Sequence, residues 1–147
     1  MKSENQVVLE FPSRSSNESF ARVAAAGFAM QLDPTLEELG DIKTAVSEAV
    51  TNAIIHGYPD CIGRIVMKLR IREGNVMEII VKDWGVGIAD VEQARKPMFT
   101  TGNDERSGMG FTIMESFMDT IRVKSAPLKG TTVTLKKRIS TRMGERK

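Results

Sequence analysis

The run SEAVTNAIIHG at residues 47–57 has the pattern of the last turns of an amphipathic helix, yet it carries two polar residues that helix packing does not require. Glu48 and Asn52 are four residues apart, so their side chains share one helical face. That face is nearly opposite the apolar stripe that includes Ala49 and Val50. A carboxylate and a carboxamide in this arrangement can hold a metal ion and a reacting group together, although most such pairs are ordinary solvated surface.

Composition is typical of a single-domain globular protein. The chain has 147 residues, of which 41% are hydrophobic and 27% are charged. The formal net charge of +2 is too small to indicate nucleic acid binding, and we expect no direct nucleic acid contact. The single cysteine, Cys61, excludes an intrachain disulfide, argues against a cysteine-based metal site and fits a reducing compartment.

Targeting signals are absent from the sequence. No stretch approaches the roughly 20 apolar residues of a membrane helix, and the first residues lack the basic and then apolar pattern of a signal peptide. We therefore expect a cytoplasmic protein without a membrane partner. We predict a single domain over residues 1–138 and a basic C-terminal tail at residues 139–147.

Apolar periodicity and turn signals predict the element order β-α-α-β-β-α-loop-α-β-β. The predicted strands are at 6–12, 64–71, 76–83, about 121–123 and 131–138, and the predicted helices are at about 17–30, 34–56, 90–95 and from 111 onward. Hairpin-joined strands with helices grouped between them favour an α+β fold. We expect a two-layer sandwich, in which a mixed, mainly antiparallel sheet of about five strands carries its helices on one face.

Two predicted helix starts carry capping signals. Ser15 followed by Glu18 has the form of a capping box, and Asp33 before Pro34 has the form of a cap followed by proline at the first helical position. The opposite face of the first helix, which includes Arg22, is left for solvent or a partner. The residues expected to be buried are Phe20, Val23, Ala24 and Gly27 or Phe28 on the first helix, and Leu36, Leu39, Ile42, Val46, Ala49, Val50 and Ala53 on the second.

The run DWGVG at residues 83–87 follows the third predicted strand. Gly85 and Gly87 allow the backbone to turn with positive φ and to approach a flat ligand closely. Asp83, at the strand end, can accept a hydrogen bond from an exocyclic amine. A buried acceptor there favours adenine, which offers an amine at this position, over guanine, which offers a carbonyl oxygen. A plain strand-to-loop turn is the alternative.

A polar stretch at residues 99–110 precedes the last predicted helix and has the length of a functional lid. It ends in Gly108-Met109-Gly110. Free N–H groups at a helix start bind phosphate, and glycines allow a close approach, so this end is a candidate phosphate site. A flexible hinge is the alternative interpretation.

Two further residues are candidates near a ligand. Thr131 follows Gly130 at the start of the last strand, where its hydroxyl can complete a base pocket beside Asp83, unless it is simply a strand-favouring residue. The lone His56 suits the end of a helix, where the dipole favours it, better than it suits a catalytic base.

The order of these motifs is more specific than any one of them. Glu-x-x-x-Asn, Asp-x-Gly-x-Gly, a polar loop ending in Gly-x-Gly, and Gly-Thr follow one another between Glu48 and Thr131. In this order the chain resembles the ATP-binding fold shared by gyrase-type ATPases, Hsp90 chaperones, histidine kinases and MutL. The runs NESFAR at 17–22, AVSEAVTNAIIHGY at 45–58 and RSGMGFTIME at 106–115 further resemble the anti-sigma serine kinases.

This resemblance implies a Mg²⁺–ATP site. Asn52 would coordinate the Mg²⁺ that bridges the phosphates, Glu48 would be the general base that takes the proton of a serine hydroxyl, and Asp83 would bind adenine. Residues 100–107 would form the lid. The remaining nucleotide-binding residues that the resemblance implies are Gly85, Gly87, Thr100, Thr101, Arg106, Ser107, Gly108, Met109, Gly110 and Thr131.

The resemblance also implies partners. These are the sporulation RNA polymerase sigma factor F, for which Arg22 is the suggested contact, an anti-anti-sigma protein phosphorylated on serine, and a second copy in a homodimer. Three alternatives stay open: a general-stress kinase of the anti-sigma B type, a detached histidine kinase domain, and a sigma-binding module that uses nucleotide only structurally. A histidine kinase usually carries a helical hairpin with a phosphoaccepting histidine, and this sequence shows none. Glu48 argues against the purely structural use of nucleotide, because structural binding does not require a base.

Overall fold

A computed structural model describes residues 3–95 and 110–140, with side chains described except at residues 3, 4, 92 and 93. The strands are β1 (Ser3–Pro12), β2 (Arg64–Arg72), β3 (Val76–Asp83), β4 (Thr120–Ala126) and β5 (Gly130–Arg138). The helices are α1 (Ser16–Ala29), α2 (Leu36–Asn52), α3 (Val91–Ala94) and α4 (Gly110–Phe117), with a 3₁₀ turn at Met30–Leu32 and a π-helical turn at Ala53–Gly57.

The five strands form one sheet in the order β1-β2-β3-β5-β4, and every neighbouring pair is antiparallel. One face of this sheet packs against the helices, and the α+β fold class expected from the sequence is confirmed. Alternation places Met67 of β2, Ile79 of β3 and Leu135 of β5 in the core against Ile42 and Val46 of α2. Because α2 carries this stripe across the sheet, it contacts both β3 and β5.

The face of α1 that is buried differs from the predicted one. Phe20 and Val23 were expected in the core, but they are 61% and 63% exposed. The buried residues of α1 are Ala21, Ala25, Phe28 and Ala29. Both stripes have helical spacing, and the small alanines allow α1 to approach α2 closely, which the larger side chains would prevent. The rotated helix presents Phe20 and Val23 to solvent.

Neither predicted N-cap forms. Ser15 precedes α1 without a side-chain cap, and the Glu18 carboxylate instead accepts a hydrogen bond from the Ser47 hydroxyl of α2 at 2.6 Å. The capping box lies at the start of α2, where the Thr35 hydroxyl accepts from the N–H of Glu38 and the Glu38 carboxylate accepts from the N–H of Thr35.

The start of α2 therefore lies later than expected. Asp33 has φ 53°, in the left-handed region, so it and Pro34 belong to the turn before the helix. Leu36 becomes the first helical residue and is 88% exposed, although the sequence pattern placed it in the core. The buried residues of α2 begin at Ile42, so the fully buried core contacts of this helix are made by its later turns.

The other end of α2 continues as predicted to His56, but with a change of helix type. The α-helical hydrogen bonds end at Asn52, and the π-helical turn carries the chain to Gly57. Such turns are rare and are frequent at functional sites. No helix in the two described ranges is long and apolar enough to cross a bilayer.

Candidate functional site

A cavity of about 470 Å³ opens where the end of α2 meets the ends of β3 and β5. The polar side chains that line it are Asn52 at the end of α2, His56 in the π-helical turn, Asp83 of β3, Asp90, and Thr131 of β5. Apolar side chains complete its walls. They come from the π-helical turn, from residues 86–89 and from α4, and include Ile55, Val86, Ile88 and Phe111. The site is thus largely apolar with a few convergent polar groups, as small-molecule sites usually are.

Asp83 supplies a buried carboxyl group to this cavity. It is 4% exposed, and its Oδ1 accepts a hydrogen bond from the N–H of Gly85 at 2.9 Å. Burial raises the pKa of the Asp83 carboxyl above its ordinary value of 3.8, while hydrogen bonds from the backbone of Gly85 and Thr131 oppose that shift. A carboxylate fixed by backbone donors in this way is a directional acceptor for a ligand amine.

Glycines are required around Asp83 because backbones pack closely there. A Cβ on Gly85 would lie 1.9 Å from the carbonyl oxygen of Gly57, and a Cβ on Gly57 would lie 2.9 Å from the Asp83 carboxyl carbon. Gly87 has φ 78°, and a Cβ on it would lie 1.9 Å from the carbonyl oxygen of Ala126. The expected positive φ is thus present at Gly87 but not at Gly85. At Gly85 the glycine is needed for packing.

Asn52 lines the same cavity as Asp83 and Thr131, and it lies beside the start of α4. A Cβ on Gly110 would lie 3.0 Å from Asn52 Nδ2 and 3.2 Å from Asn52 Oδ1, so a glycine at the start of α4 leaves room beside this carboxamide. Glu48 lies one turn earlier on the same face of α2 and is half-buried. The cavity wall includes Asn52 but not Glu48, within the part of the chain that the structure describes.

Several sequence-predicted residues lie outside the described residues. They are Thr100, Thr101, Arg106, Ser107, Gly108 and Met109. Among the described candidates, the structure brings Asn52, Asp83, Gly87 and Thr131 to one cavity. Arg22 is separate from them, on α1.

Arg22 is nevertheless linked to the helix that carries the site. Its guanidinium lies 3.6 Å from the Glu18 carboxylate, which also accepts the hydrogen bond from Ser47. Ser47 directly precedes Glu48 on α2. A partner that binds at Arg22 would therefore contact a surface connected to α2 by two short polar contacts.

Ser125 on β4 was missed by the sequence analysis. Its hydroxyl accepts a hydrogen bond from the N–H of Ile88 at 2.7 Å and lies 2.7 Å from the Thr131 hydroxyl oxygen. The only signal in the sequence was its place just before the turn at residues 127–130, which puts it opposite Thr131 in the hairpin.

The protein side chains at this site fit a Mg²⁺ ion that is held mainly by the phosphates of a bound small molecule. No group of three or more histidine, cysteine, aspartate or glutamate side chains in the described ranges can hold a metal ion by itself. Mg²⁺ prefers oxygen ligands, keeps several waters and commonly binds through one or two protein groups together with phosphates. The Asn52 carboxamide oxygen, with the space left by Gly110, is a donor of this kind.

Comparison with known proteins identifies the class. The family model described as the histidine kinase-like ATPase domain matches residues 11–137, and the chain belongs to this family. Several relatives that are 54–60% identical to this chain are named anti-sigma F factors. The chain is 59% identical to that of Geobacillus kaustophilus (strain HTA426) over 137 residues, with 92% of this chain and 94% of the relative covered. It is 54% identical to that of Bacillus subtilis (strain 168) over 138 residues, with the same coverage.

Solved structures agree on the fold. The RsbU and RsbW domains of Rv1364c from Mycobacterium tuberculosis match with a TM-score of 0.67 at 20% identity, over 93% of this chain and 32% of that one. The mycobacterial sensor histidine kinase MprB matches with a TM-score of 0.56 at 21% identity, over 70% of this chain and 73% of that one. The family and its relatives together support an anti-sigma factor with a nucleotide-binding, kinase-type domain.

Proposed function

We propose that this protein inhibits the sporulation sigma factor F and uses Mg²⁺–ATP to phosphorylate a serine of an anti-anti-sigma protein in the cytoplasm. The single observation that carries the kinase part is that one cavity is lined both by the fixed carboxylate acceptor of Asp83 and by the carboxamide of Asn52. Relatives named anti-sigma F factors, similar over nearly their whole length, carry the sigma part.

The part of the cavity at Asp83 and Thr131, here called the base end, suits adenine. The Asp83 carboxylate accepts a hydrogen bond from the exocyclic amine, and guanine would instead place its carbonyl oxygen against this acceptor. An uncompensated buried pair of acceptors is costly, so the pocket discriminates between the two bases. Val86, Ile88 and Phe111 supply apolar surface for the rings.

The phosphate end lies between α2 and the start of α4. Asn52 would hold Mg²⁺ through its carboxamide oxygen, and the Gly110 N–H lies at the helix start, where phosphate is favoured. Bound Mg²⁺ would neutralise charge on the phosphates. Phosphoryl transfer requires mainly such positioning and charge neutralisation, so few side chains suffice. The residues at 100–109, including Arg106, keep the phosphate and lid roles that the family resemblance implies.

Glu48 would act as the general base. In the transfer, the serine Oγ forms a bond to the γ-phosphorus as the bond from that phosphorus to the bridging oxygen of ADP breaks, and the serine proton goes to the Glu48 carboxylate. Its position one turn before Asn52, on the same face of α2, supports this role.

The partner surfaces are proposed on α1 and β1. Phe20, Val23 and Met30 form an exposed apolar stripe on α1 and its following turn, and β1 is an edge strand. Such a surface suits a homodimer interface, with Arg22 at its side as the sigma contact.

The direct test is label transfer. The protein is incubated with Mg²⁺, ATP labelled in the γ-phosphate and the candidate anti-anti-sigma protein. Acid-stable label on a serine of that protein supports the proposal. Acid-labile label on a histidine would favour a histidine kinase activity, and no label with intact sigma binding would favour a nucleotide-dependent binding module.

Changing Asn52 to aspartate is expected to alter the Mg²⁺ dependence of nucleotide binding. The substitution keeps the shape but adds a negative charge beside the phosphates, so we expect ATP affinity in Mg²⁺ to fall by about 10-fold or more. Titration calorimetry with and without Mg²⁺ measures this. Unchanged affinity and unchanged Mg²⁺ dependence would refute the metal role.

Reversing the charge of Arg22 with Arg22→Glu is expected to weaken sigma binding by about 10-fold or more while leaving ATP binding unchanged, since the residue lies outside the cavity. Pull-down and calorimetry with purified sigma factor measure the effect. The matched control is Arg14→Glu, an exposed cation between β1 and α1. Wild-type sigma affinity in the Arg22 variant would reject this contact.

A further inference from the structure

Ser125 connects three segments at the base end of the cavity. Its Oγ accepts a hydrogen bond from the N–H of Ile88 at 2.7 Å and donates to the carbonyl oxygen of Gly130 at 2.9 Å. It also lies 2.7 Å from Thr131 Oγ1, directly across the β4–β5 pair. Ile88 and Thr131 both line the cavity, whereas Ser125 does not. Ser125 therefore acts on the pocket through its neighbours.

The protons of this cluster can be assigned from its chemistry. The Ser125 hydroxyl has one proton, and the Gly130 carbonyl can only accept, so that contact takes the Ser125 proton. The hydrogen bond between the two hydroxyls then requires the Thr131 proton, and Thr131 turns oxygen lone pairs toward the cavity. A ligand with an acceptor nitrogen reverses both hydroxyls, since Thr131 donates to the ligand and Ser125 donates to Thr131.

The cavity wall at residues 86–88 is also held by backbone contacts, and the N–H of Val86 donates to the carbonyl oxygen of Gly57. The carbonyl oxygen of Val86 accepts a hydrogen bond from the N–H of Leu128, and Gly87 packs tightly against Ala126. These contacts join residues 86–87 to the β4–β5 turn through the backbone. At Ile88 the contact to this hairpin is made by a side chain, that of Ser125. A substitution can therefore remove it without changing the backbone.

We propose that Ser125 is a positioning residue for the base of the bound nucleotide: its hydroxyl holds Ile88 in the cavity wall and orients the Thr131 hydroxyl toward the purine ring. This inference rests on the proposed function, because it assumes that the cavity binds an adenine nucleotide. Ser125 itself does not touch the ligand, and base discrimination stays with Asp83.

The test is the affinity for ADP of Ser125→Ala. The substitution leaves the N–H of Ile88 without its side-chain acceptor and frees the Thr131 hydroxyl to rotate, so we expect ADP affinity to fall by about 10-fold. Ser125→Thr, which keeps the hydroxyl, is expected to restore it. Should Ser125→Ala fail to fold, Ser125→Cys, which replaces the hydroxyl by a weak thiol donor and acceptor, carries the same expected loss.

A matched control separates positioning from general stability. Thr132→Ala removes a hydroxyl from the next residue of β5, on the opposite face of the sheet, and is expected to leave ADP affinity unchanged. Thermal unfolding without nucleotide, measured for both variants, shows whether a loss of affinity follows a loss of stability. If Ser125 has a positioning role, Ser125→Ala loses ADP affinity even where its unfolding temperature is no lower than that of Thr132→Ala.

The decisive comparison is a double-mutant cycle with Thr131→Val. Since Ser125 acts in part through the Thr131 hydroxyl, the double variant should lose less affinity than the product of the two single losses. Additive losses, or a Ser125→Ala affinity within about twofold of wild type, would overturn the role of Ser125. A wild-type chain that does not bind ADP contradicts the proposed function, and the Ser125 role with it.

Discussion

Changing Asp83 to asparagine is expected to weaken ADP binding by about 100-fold or more, without lowering the stability of the fold. The backbone N–H of Gly85 donates to Asp83 Oδ1 and the backbone of Thr131 also donates to this carboxyl, so the asparagine oxygen must accept these hydrogen bonds instead. Its NH₂ group is then the part left for the ligand, and it meets the adenine amine as donor against donor. The affinity is measured by calorimetry with ADP and GDP.

The stability part of this prediction follows from the pKa of Asp83. Burial raises the pKa of the folded carboxyl above its unfolded value, so the ionised side chain destabilises the fold. This cost is absent below the unfolded pKa and appears as the pH rises through the folded pKa. At neutral pH, Asp83→Asn should therefore unfold at the same or a higher denaturant concentration than wild type, and this advantage should vanish in acid.

The matched control is Asp60→Asn, on an exposed turn residue. It is expected to change neither ADP affinity nor the pH dependence of unfolding. If Asp83→Asn binds ADP as tightly as this control does, Asp83 does not recognise the base.

Changing Glu48 to glutamine is expected to reduce phosphoryl transfer by about 100-fold or more, while ATP affinity stays close to wild type. Glutamine keeps the size and polarity of the side chain but cannot take the serine proton. Glu48 also lies outside the described cavity wall, so its loss should not disturb the nucleotide. Single-turnover transfer to the anti-anti-sigma serine measures the chemical step separately from binding.

The control for this variant is Glu37→Gln, an exposed glutamate in the first turn of the same helix. It should transfer phosphate at the wild-type rate. A near wild-type rate for Glu48→Gln would show that Glu48 is not the base. The two site variants should differ in the step that fails: Glu48→Gln should bind ATP but transfer phosphate slowly, whereas Asn52→Asp should bind ATP weakly in the presence of Mg²⁺.

The sheet and the order of the elements could be predicted because their signals are local. One face of each strand is buried, so apolar residues such as Met67 and Ile79 alternate with more exposed ones along the strand. This alternation is visible in the sequence. The motif at residues 83–87 could likewise be placed at a strand exit, since the glycines follow a complete apolar alternation.

The errors occurred where two local patterns competed. On α1, the stripe with Phe20 and the stripe with Ala21 have the same helical period, and close packing against α2 selected the smaller residues. At the start of α2, Asp33-Pro34 and Thr35 both carry capping signals, and the reciprocal hydrogen bonds of Thr35 with Glu38 decide between them. Sequence spacing alone therefore decides neither the buried face of α1 nor the capping residue of α2.

Ser125 could not be predicted because its role depends on contacts distant in the chain. Ile88 lies 37 residues away, and only the pairing of β4 with β5 brings Thr131 opposite Ser125. Asp83, in contrast, was found because a charged residue followed by two glycines at the end of an apolar strand is unusual in itself.

The central claim is that the cavity beside Asp83 holds one adenine nucleotide. Native mass spectrometry of the purified protein, incubated with Mg²⁺ and ATP, measures the number of nucleotides per chain for wild type and Asp83→Asn. One ATP or ADP per wild-type chain, and none retained by Asp83→Asn under the same conditions, is the predicted result. A wild-type chain that retains no nucleotide, or a variant that retains it equally well, would contradict the account.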